Sequence, residues 1–496
     1  MKPIGLKNLI RQLKQKMQCE ISGNLMEQKI SGVTADSRKV EPDMIFVAVR
    51  GVRADGHSFI SQAINNGAGA LVVDRKYKSD QMLNVPTIQV DDTAEALVIL
   101  LSAFLGNPPK KLYAVTGTNG KTTVTYMLWN IFTSAGEKAG LIGTLGYMFE
   151  NGEVGKLPVT TPAAESLWKL FAEMNNRGIT SVALEASSHG IHQKRVWGLN
   201  FKAVVFTNLS QDHLDYHKTM ESYFDAKCQL FRQASENSTA VINIDDPAGA
   251  DIVAVCPGDV ITYSMKNPGA DIFAKSIQMD FGGSTFSLAT PWGKFEVRVN
   301  IPGKFNIYNA TAAAGATLST GYSTEDVLRG LANFDGIKGR FQRISMGQPF
   351  QVIVDYAHTP QALHNLIATA RKLTTGKVIV VFGAGGDRDI EKRPIMGNVA
   401  TKYADIAVIT SDNPRSENPD DIIDMIVEGI SSDNFIRITD RKDAIFEAIK
   451  IAQPGDTVII AGKGHEDYQI FANCTIHFDD VEVAREAIEN LKKIEL

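Results

Sequence analysis

Apolar runs of strand length recur along most of this chain, and helical patterns separate them. "LYAVTG", "SVALEAS", "KAVVFTNL" and "TAVINID" are dense in Val, Ile, Leu and Ala, with little polar alternation. A run that is apolar on both faces is buried on both faces, as in a parallel strand covered by helices. "FQVIVDYA", "KVIVVFGAGG", "IAVITSDNP" and "DTVIIAGKG" repeat the texture downstream. The pattern restricts the chain to α/β architecture with largely parallel sheets. Ligands of such sheets gather at the carboxyl ends of the strands, and each of these runs ends near Gly, Asp, Asn or His.

Two breaks divide the chain. Pro108 and Pro109 in "LGNPPKK" cannot lie inside a helix. Gly336 and Gly339 in "LANFDGIKGRF" punctuate the end of a helical pattern. A length of 496 residues calls for several cores. Three domains are expected, 1–108, 109–337 and 338–496. The central one is a mostly parallel sheet with helices on both faces and contains the phosphate loop discussed below. The C-terminal one is Rossmann-like α/β. The N-terminal one is a smaller α/β domain, in which "MIFVAVRG" and "ALVVD" read as strands and "SFISQAINNGA" as an amphipathic helix.

A formal net charge of -5 offers no general attraction to nucleic acid or anionic lipid. No run reaches the ~18 apolar residues of a membrane span, and "MKPIGLKNLIRQLKQKM" lacks the apolar core of a signal peptide. Cys19, Cys228, Cys256 and Cys474 are scattered, without C-x-x-C spacing, so neither a zinc finger nor a disulfide framework is indicated. The expectation is a cytoplasmic monomer acting on small molecules, without nucleic-acid or membrane partners.

The stretch "AVTGTNGKTTVTYML" carries the clearest chemistry. A buried strand, a glycine loop and a helix follow one another, which is the context a phosphate loop requires. Backbone N–H groups at the helix start bind anions, Lys121 reaches outer phosphates, and Thr122 offers a hydroxyl to Mg²⁺. The loop departs from G-x-x-x-x-G-K-[ST], because Val115 stands where the first glycine belongs. That sets the ordinary P-loop families aside without removing phosphate binding. Further on, "VALEASSHG" ends a strand at Glu185, and "VVFTNLSQDHLDYH" places Asp212, His213, Asp215 and His217 after another. Acidic and imidazole groups at neighbouring strand ends suit a divalent cation beside a nucleotide. His213 and His217 also read as a pair of solvated or hydrogen-bonded histidines. The H-E-x-x-H pattern is absent. Lys227 in "YFDAKCQLF" reads, on its own, as a surface lysine that snorkels.

In the last segment "GAGGDR" has Arg388 where a dinucleotide fingerprint needs its third glycine, so that reading fails. Arg388 and Arg415 could grip carboxylates of a small ligand, or could pair with Asp387, Asp389 or Glu417. "GKFNIYN" reads as a polar turn entering an Ala-rich helix.

"GTNGKTT" resembles the loop of the Mur ligases and the related folylpolyglutamate synthetases, and the resemblance spans nearly the whole chain. It implies an ATP-dependent ligase of peptidoglycan synthesis that forms a C–N bond while splitting ATP to ADP and phosphate. ATP would be held by Gly117, Thr118, Asn119, Gly120, Lys121, Thr122 and Thr123, with Asn306 and Asn309 of "PGKFNIYNATAA" on the adenine side. Lys121, Glu185, His213 and Lys227 would be the catalytic group. Thr122, Glu185, His213 and Lys227 would hold Mg²⁺, with Lys227 carbamylated by CO₂ to N6-carboxylysine. "DSR" supplies Ser37, "TTP" supplies Thr160 and Thr161, and "SSHGIHQKR" supplies Ser187, Gln193 and Arg195, for UDP-N-acetylmuramoyl-L-alanyl-D-glutamate; "GVRADG" would form the uracil-side loop. Arg388, Asp412, Asn413, Pro414, Arg415, Gly462 and Glu466 of "GDRD", "DNPR" and "GKGHE" would take meso-diaminopimelate. Relatives that add lysine usually lack the Arg of "DNPR". His358 in "DYAHTP" matches a family motif without an assigned step. The third domain would close over ATP and exclude water. The alternatives are a lysine-adding relative, a folylpolyglutamate-type ligase, which would lack the first domain, or a P-loop ATPase that acts as a partner-binding switch.

Overall fold

The computed structural model describes residues 2–23, 28–51, 54–78 and 84–494. Val52 and Arg53 of the expected uracil-side loop therefore lie outside the described residues. Three large sheets organise the chain. A five-stranded sheet runs Cys19–Ser22, Thr87–Val90, Ala70–Asp74, Met44–Val47, Gly32–Thr34, parallel except at its first strand. An eleven-stranded sheet is built from residues 111–299. Its middle is parallel, in the order Ala139–Gly143, Ser181–Glu185, Lys111–Thr116, Phe201–Phe206, Thr239–Asn243. A six-stranded sheet follows, parallel apart from the pairing of Gln342–Ile344 with Gln351–Asp355.

These strands form where the apolar runs lie. Val115, Val205, Val380 and Ile459 have no exposed surface, because helices cover both faces of each sheet. The helix Thr93–Leu105 holds the longest apolar run, and among the described residues no helix is long and apolar enough to cross a membrane. Antiparallel strands extend the central sheet at both edges, with Ile272–Asp280, Gly283–Thr290 and Gly293–Val299 forming a meander on one side. A purely parallel reading misses them. Their signal is the alternation in "KFEVRV", where Val297 and Val299 are buried while Glu296 and Arg298 are exposed.

The N-terminal sheet is tied to the central one by Glu165 of the helix Ala164–Asn176. Its Oε1 accepts from the Ala35 N–H at 2.6 Å and from the Thr34 hydroxyl at 3.1 Å. Glu165→Ala leaves both donors without a protein acceptor. We expect it to destabilise the docking of the first sheet by about 1–2 kcal/mol, read as an earlier first transition in guanidinium unfolding. A single coincident transition with unchanged midpoint would contradict this.

Candidate active site

The strand Lys111–Thr116 lies between Ser181–Glu185 and Phe201–Phe206 in the sheet, so three carboxyl ends open side by side. From the first, the loop Gly117–Gly120 leads into the helix Lys121–Ser134. Gly117 has φ 145° and Gly120 φ 88°, and a Cβ at either would collide, with Thr207 Oγ1 at 1.9 Å or Asn309 Oδ1 at 2.4 Å. Only glycine can thread this passage.

The loop is held from the neighbouring strand end. Asn208 Oδ1 accepts from the Asn119 N–H at 3.0 Å, and Thr207 Oγ1 donates to Asn119 O at 2.6 Å. Thr118 Oγ1 accepts from the Ser210 N–H at 2.9 Å and meets the Tyr223 hydroxyl at 3.1 Å. Lys121 Nζ donates to Gly117 O at 3.0 Å and Thr118 O at 2.8 Å, inside its own loop. Burial lowers its pKa, against attraction from Glu185 and Asp212.

Glu185, fully buried at the next strand end, accepts from the Thr122 hydroxyl at 3.1 Å, the Thr144 N–H at 2.9 Å and the Thr144 hydroxyl at 3.0 Å. Thr160 Oγ1 meets Thr144 Oγ1 at 3.1 Å, and Thr161 Oγ1 donates to Glu185 O at 2.7 Å and meets Ser187 Oγ at 3.0 Å. Arg195 donates to Gln193 Oε1 and to Thr161 O. Thr160, Thr161, Ser187, Gln193 and Arg195 thus form one connected cluster next to the loop. Ser37 stands apart in the first sheet's domain, where its hydroxyl donates to Gln62 Oε1 at 2.8 Å.

Lys227 corrects the surface-lysine reading. The helix Met220–Arg232 turns it inward, and the residue is 1% exposed. Its Nζ donates to Gly117 O at 2.9 Å and lies 4.4 Å from the Tyr223 ring centroid. Burial, and then the nearby Lys121 charge, push its pKa well below the ordinary lysine value. The carbonyl of Gly117 therefore receives both lysines.

His213 begins the short helix Leu214–His217 at φ 56°, with its ring 4.8 Å from that of His189. Burial holds the His213 pKa below the usual histidine value. His217 is not solvated: among the described residues its buried Nε2 has no hydrogen-bond partner, and burial lowers its pKa to about 4. Among the described residues no three His, Cys, Asp or Glu side chains surround a common point. The acid and imidazole groups do not form a protein-only cage. Thr122 and Glu185 offer adjacent oxygen donors instead.

"GKFNIYN" also needs correction. It forms the first two turns of the helix Lys304–Leu318 rather than a preceding turn. That register buries Asn306 and Asn309 on one face, Asn309 against Gly120.

The unit built on the six-stranded sheet closes the loop from the opposite side. Arg340, Tyr356 and His358 line a cavity of about 130 Å³ together with Lys121, Glu185 and Lys227. Arg340 Nη2 is 3.4 Å from Thr122 Oγ1, and its guanidinium lies 4.6 Å from the Tyr356 ring centroid. Gln211 Nε2 donates to Asp389 Oδ2 at 3.1 Å across the same junction. A larger cavity of about 410 Å³, lined by Asn300, Lys338 and Arg343, shares only Arg340 with the first.

At the strand ends of the six-stranded sheet, Arg388 and Arg415 flank Gly385. Arg415 has φ 54°; its N–H donates to Ile470 O, and its Nη1 donates to Gly386 O at 2.7 Å. Arg388 Nη1 donates to Asp387 O. Neither pairs with Asp387, Asp389 or Glu417 among the described residues. Glu417 is taken by Arg393 at 2.7 Å. Both guanidiniums keep carboxylate-binding capacity. Asp412, Asn413 and Pro414 make the same turn, and Glu466 reaches Asn413 Nδ2 at 2.7 Å. Gly462, at φ 116°, passes so close that a Cβ would lie 2.5 Å from Asp412 Oδ2.

Sequence reasoning missed Arg340, Tyr223 and Lys463 as parts of these sites. "GR" after a glycine-marked break was the available signal for Arg340; Tyr223 and Lys463 carried none, since each is placed by tertiary packing.

Fold and site together define a three-domain α/β protein with a glycine-loop centre that two of its domains enclose. Residues 29–105 match "Mur ligase family, catalytic domain", 115–317 match "Mur ligase middle domain", and 339–464 match "Mur ligase, glutamate ligase domain". The UDP-N-acetylmuramoyl-L-alanyl-D-glutamate–2,6-diaminopimelate ligase of Clostridium tetani is 42% identical over 97% of this chain and 99% of its own length. That of Bacillus cereus is 44% identical over 93% of this chain and 94% of its own. A solved structure of a ligase with the same name is 32% identical with a TM-score of 0.70, covering 99% of this chain and 100% of that one. The chain belongs to the Mur ligase family.

Proposed function

We propose that this protein is the ATP-dependent ligase that joins meso-2,6-diaminopimelate to UDP-N-acetylmuramoyl-L-alanyl-D-glutamate in cytoplasmic peptidoglycan synthesis. The observation that carries this reading is the 42% identity along essentially the whole chain to a ligase of that name. The geometry supports it independently, through two arginines without carboxylate partners among the described residues and a buried acid and lysine beside a glycine loop.

In this reading residues 1–108 hold the uridine nucleotide, with Ser37 as a contact. Residues 109–337 bind ATP, and 338–496 bind the amino acid. Gly117 to Thr123 receive the phosphates, while Asn306 and Asn309 face the base. Thr160, Thr161, Ser187, Gln193 and Arg195 hold the dipeptide end of the nucleotide substrate. Its free carboxylate attacks the γ-phosphate of ATP, ADP leaves, and an acyl phosphate results. Lys121 leaves its loop carbonyls to offset charge on the transferring group. The amine of diaminopimelate, held by Arg388, Asp412, Asn413, Pro414, Arg415, Gly462 and Glu466, then attacks the acyl carbon and expels phosphate. Arg340 and His358 roof the cavity, which limits hydrolysis of the intermediate.

Mg²⁺ fits the donor set, since it is typically held by one or two carboxylates together with phosphates and water. Thr122, Glu185, His213 and Lys227 would hold it, and it would supply neutralisation of phosphate charge. Lys227 as an ammonium would repel it. As a carbamate it would be an anionic ligand, and its depressed pKa leaves the neutral amine that CO₂ requires.

Phosphate release tests the reading. Release should require the dipeptide nucleotide and the amino acid together, with product mass increased by diaminopimelate. Turnover of ATP without either substrate would point to the switch ATPase. An equal rate with lysine would point to the lysine-adding relative.

A further inference from the structure

Lys463 has no exposed side-chain surface, although it stands in a turn at the mouth of the six-stranded sheet. Its Nζ donates to Asn413 Oδ1 at 3.2 Å and to Glu466 Oε2 at 3.4 Å. The amide of Asn413 has a defined orientation. The Ile470 N–H can only donate, and it reaches Oδ1 at 3.0 Å. Nδ2 must therefore face Glu466, and does so at 2.7 Å. Glu466 Oε2 thus takes two donors, while its Oε1 takes none among the described residues. Asp412 is similar: Oδ1 accepts from the Asn413 N–H at 2.7 Å, and Oδ2 has no hydrogen bond among the described residues.

Two carboxylates with free oxygens in one recess form a receptor for an ammonium group. They also repel each other, and that repulsion adds to burial in raising the pKa of Glu466. We propose that Lys463 is a positioning residue for the amino-acid substrate: its buried ammonium keeps Glu466 ionised and aimed, so that Asp412 and Glu466 together receive the distal ammonium of a zwitterionic substrate. The proposal deepens the ligase reading and rests on it.

Alternatives for Lys463 are weaker. A lysine buried for packing alone would lack the two acceptors. A structural ion pair would leave neither acid oxygen free, as in Arg441 with Asp480, where both side chains are buried and both guanidinium bonds are made. The electrostatics agree. Burial raises the pKa of Glu466, Asp412 raises it further, and Lys463 and Asn413 lower it. The other groups facing Glu466 are Tyr356, Tyr468 and Arg441, from three further elements. Arg441 is already committed to Asp480, which leaves Lys463 as the local counter-charge.

Without the Lys463 charge, Glu466 stays protonated to higher pH. Lys463→Met should raise the KM for diaminopimelate on the order of 30-fold, leave the KM for ATP unchanged, and change kcat little. The acid limb of kcat/KM for diaminopimelate should move to higher pH. In a Glu466→Gln background the same substitution should add almost nothing, since the charge it serves is gone. Should Lys463→Met fail to fold, Lys463→Gln carries the same expectation, because it keeps a donor and loses the charge. A wild-type KM in the folded variant, or an equal further loss in the Glu466→Gln background, would overturn the assignment alone. A wild-type enzyme that consumes no diaminopimelate would overturn the ligase reading and this inference with it.

Discussion

Lys227→Ala should lower ligation by roughly 10³-fold, the scale of losing one preorganised electrostatic group at a phosphoryl-transfer centre. The expectation follows from where the side chain sits. A lysine that is 1% exposed, one hydrogen bond from the loop carbonyl that also receives Lys121, is at the centre of the site. Its depressed pKa comes from burial and then from the Lys121 charge, with Asp212 opposing them. The neutral amine, the form that reacts with CO₂, is therefore more populated than on an ordinary lysine. A carbamate there would carry negative charge toward Thr122 and Glu185, where Mg²⁺ is expected. Acetate or formate should restore part of the activity of Lys227→Ala by filling the vacated anionic position, and should do nothing for Lys121→Ala. Mass spectrometry is a poor readout, because acid releases the carbamate; rescue kinetics are the better one. Wild-type turnover in Lys227→Ala would refute the role outright.

Arg415→Ala should raise the KM for diaminopimelate on the order of 10²-fold and leave that for ATP near its wild-type value. The guanidinium is held at Gly386 O and has no carboxylate partner among the described residues. Its backbone is in the left-handed region at φ 54°, tied to Ile470 O, so the surroundings impose a conformation that arginine does not favour. Removing the side chain takes away one of the two guanidiniums proposed to receive a substrate carboxylate. Lysine, which lacks that carboxylate, should gain relative to diaminopimelate in the variant. Equal losses for ATP and the amino acid would mean that Arg415 supports the closed arrangement rather than the substrate.

The parallel sheets were legible because buried strands must be apolar on both faces, and "LYAV", "SVALE" and "TVIIA" admit no other comfortable environment. The glycine loop was legible for a local reason too: a glycine-threaded passage from strand to helix is a short-range event. The antiparallel edges were harder to see. A strand pairing over a two- or three-residue turn leaves only alternation as its trace, and in "KSIQMDFGGSTFSLAT" that trace is interrupted by the irregular pairing between Lys275 and Gln278. The start of the helix at Lys304 was misjudged because Gly303 and Asn306 resemble turn residues, whereas Gly303 is the residue before the helix and Asn306 bonds back to Pro302 O.

Glu185 and Asn208 were located by sequence because one ends a strand and the other follows one closely, and neighbouring parallel strands present their ends together; Thr122 was located by the glycine loop that leads into its helix. By itself the chain's order of apolar runs and breaks determined an α/β architecture, a glycine loop between strand and helix, and a set of polar strand tips. Only the tertiary structure decided that Lys227 faces inward, that Arg388 and Arg415 meet backbone carbonyls and no carboxylate among the described residues while Arg393 takes Glu417, and that Lys463 lies beneath Glu466. The reason is physical. Strand and loop identity are set by neighbours a few residues away, whereas the burial and charge state of a lysine or arginine are set by groups far off in the chain, as Gly117 is from Lys227.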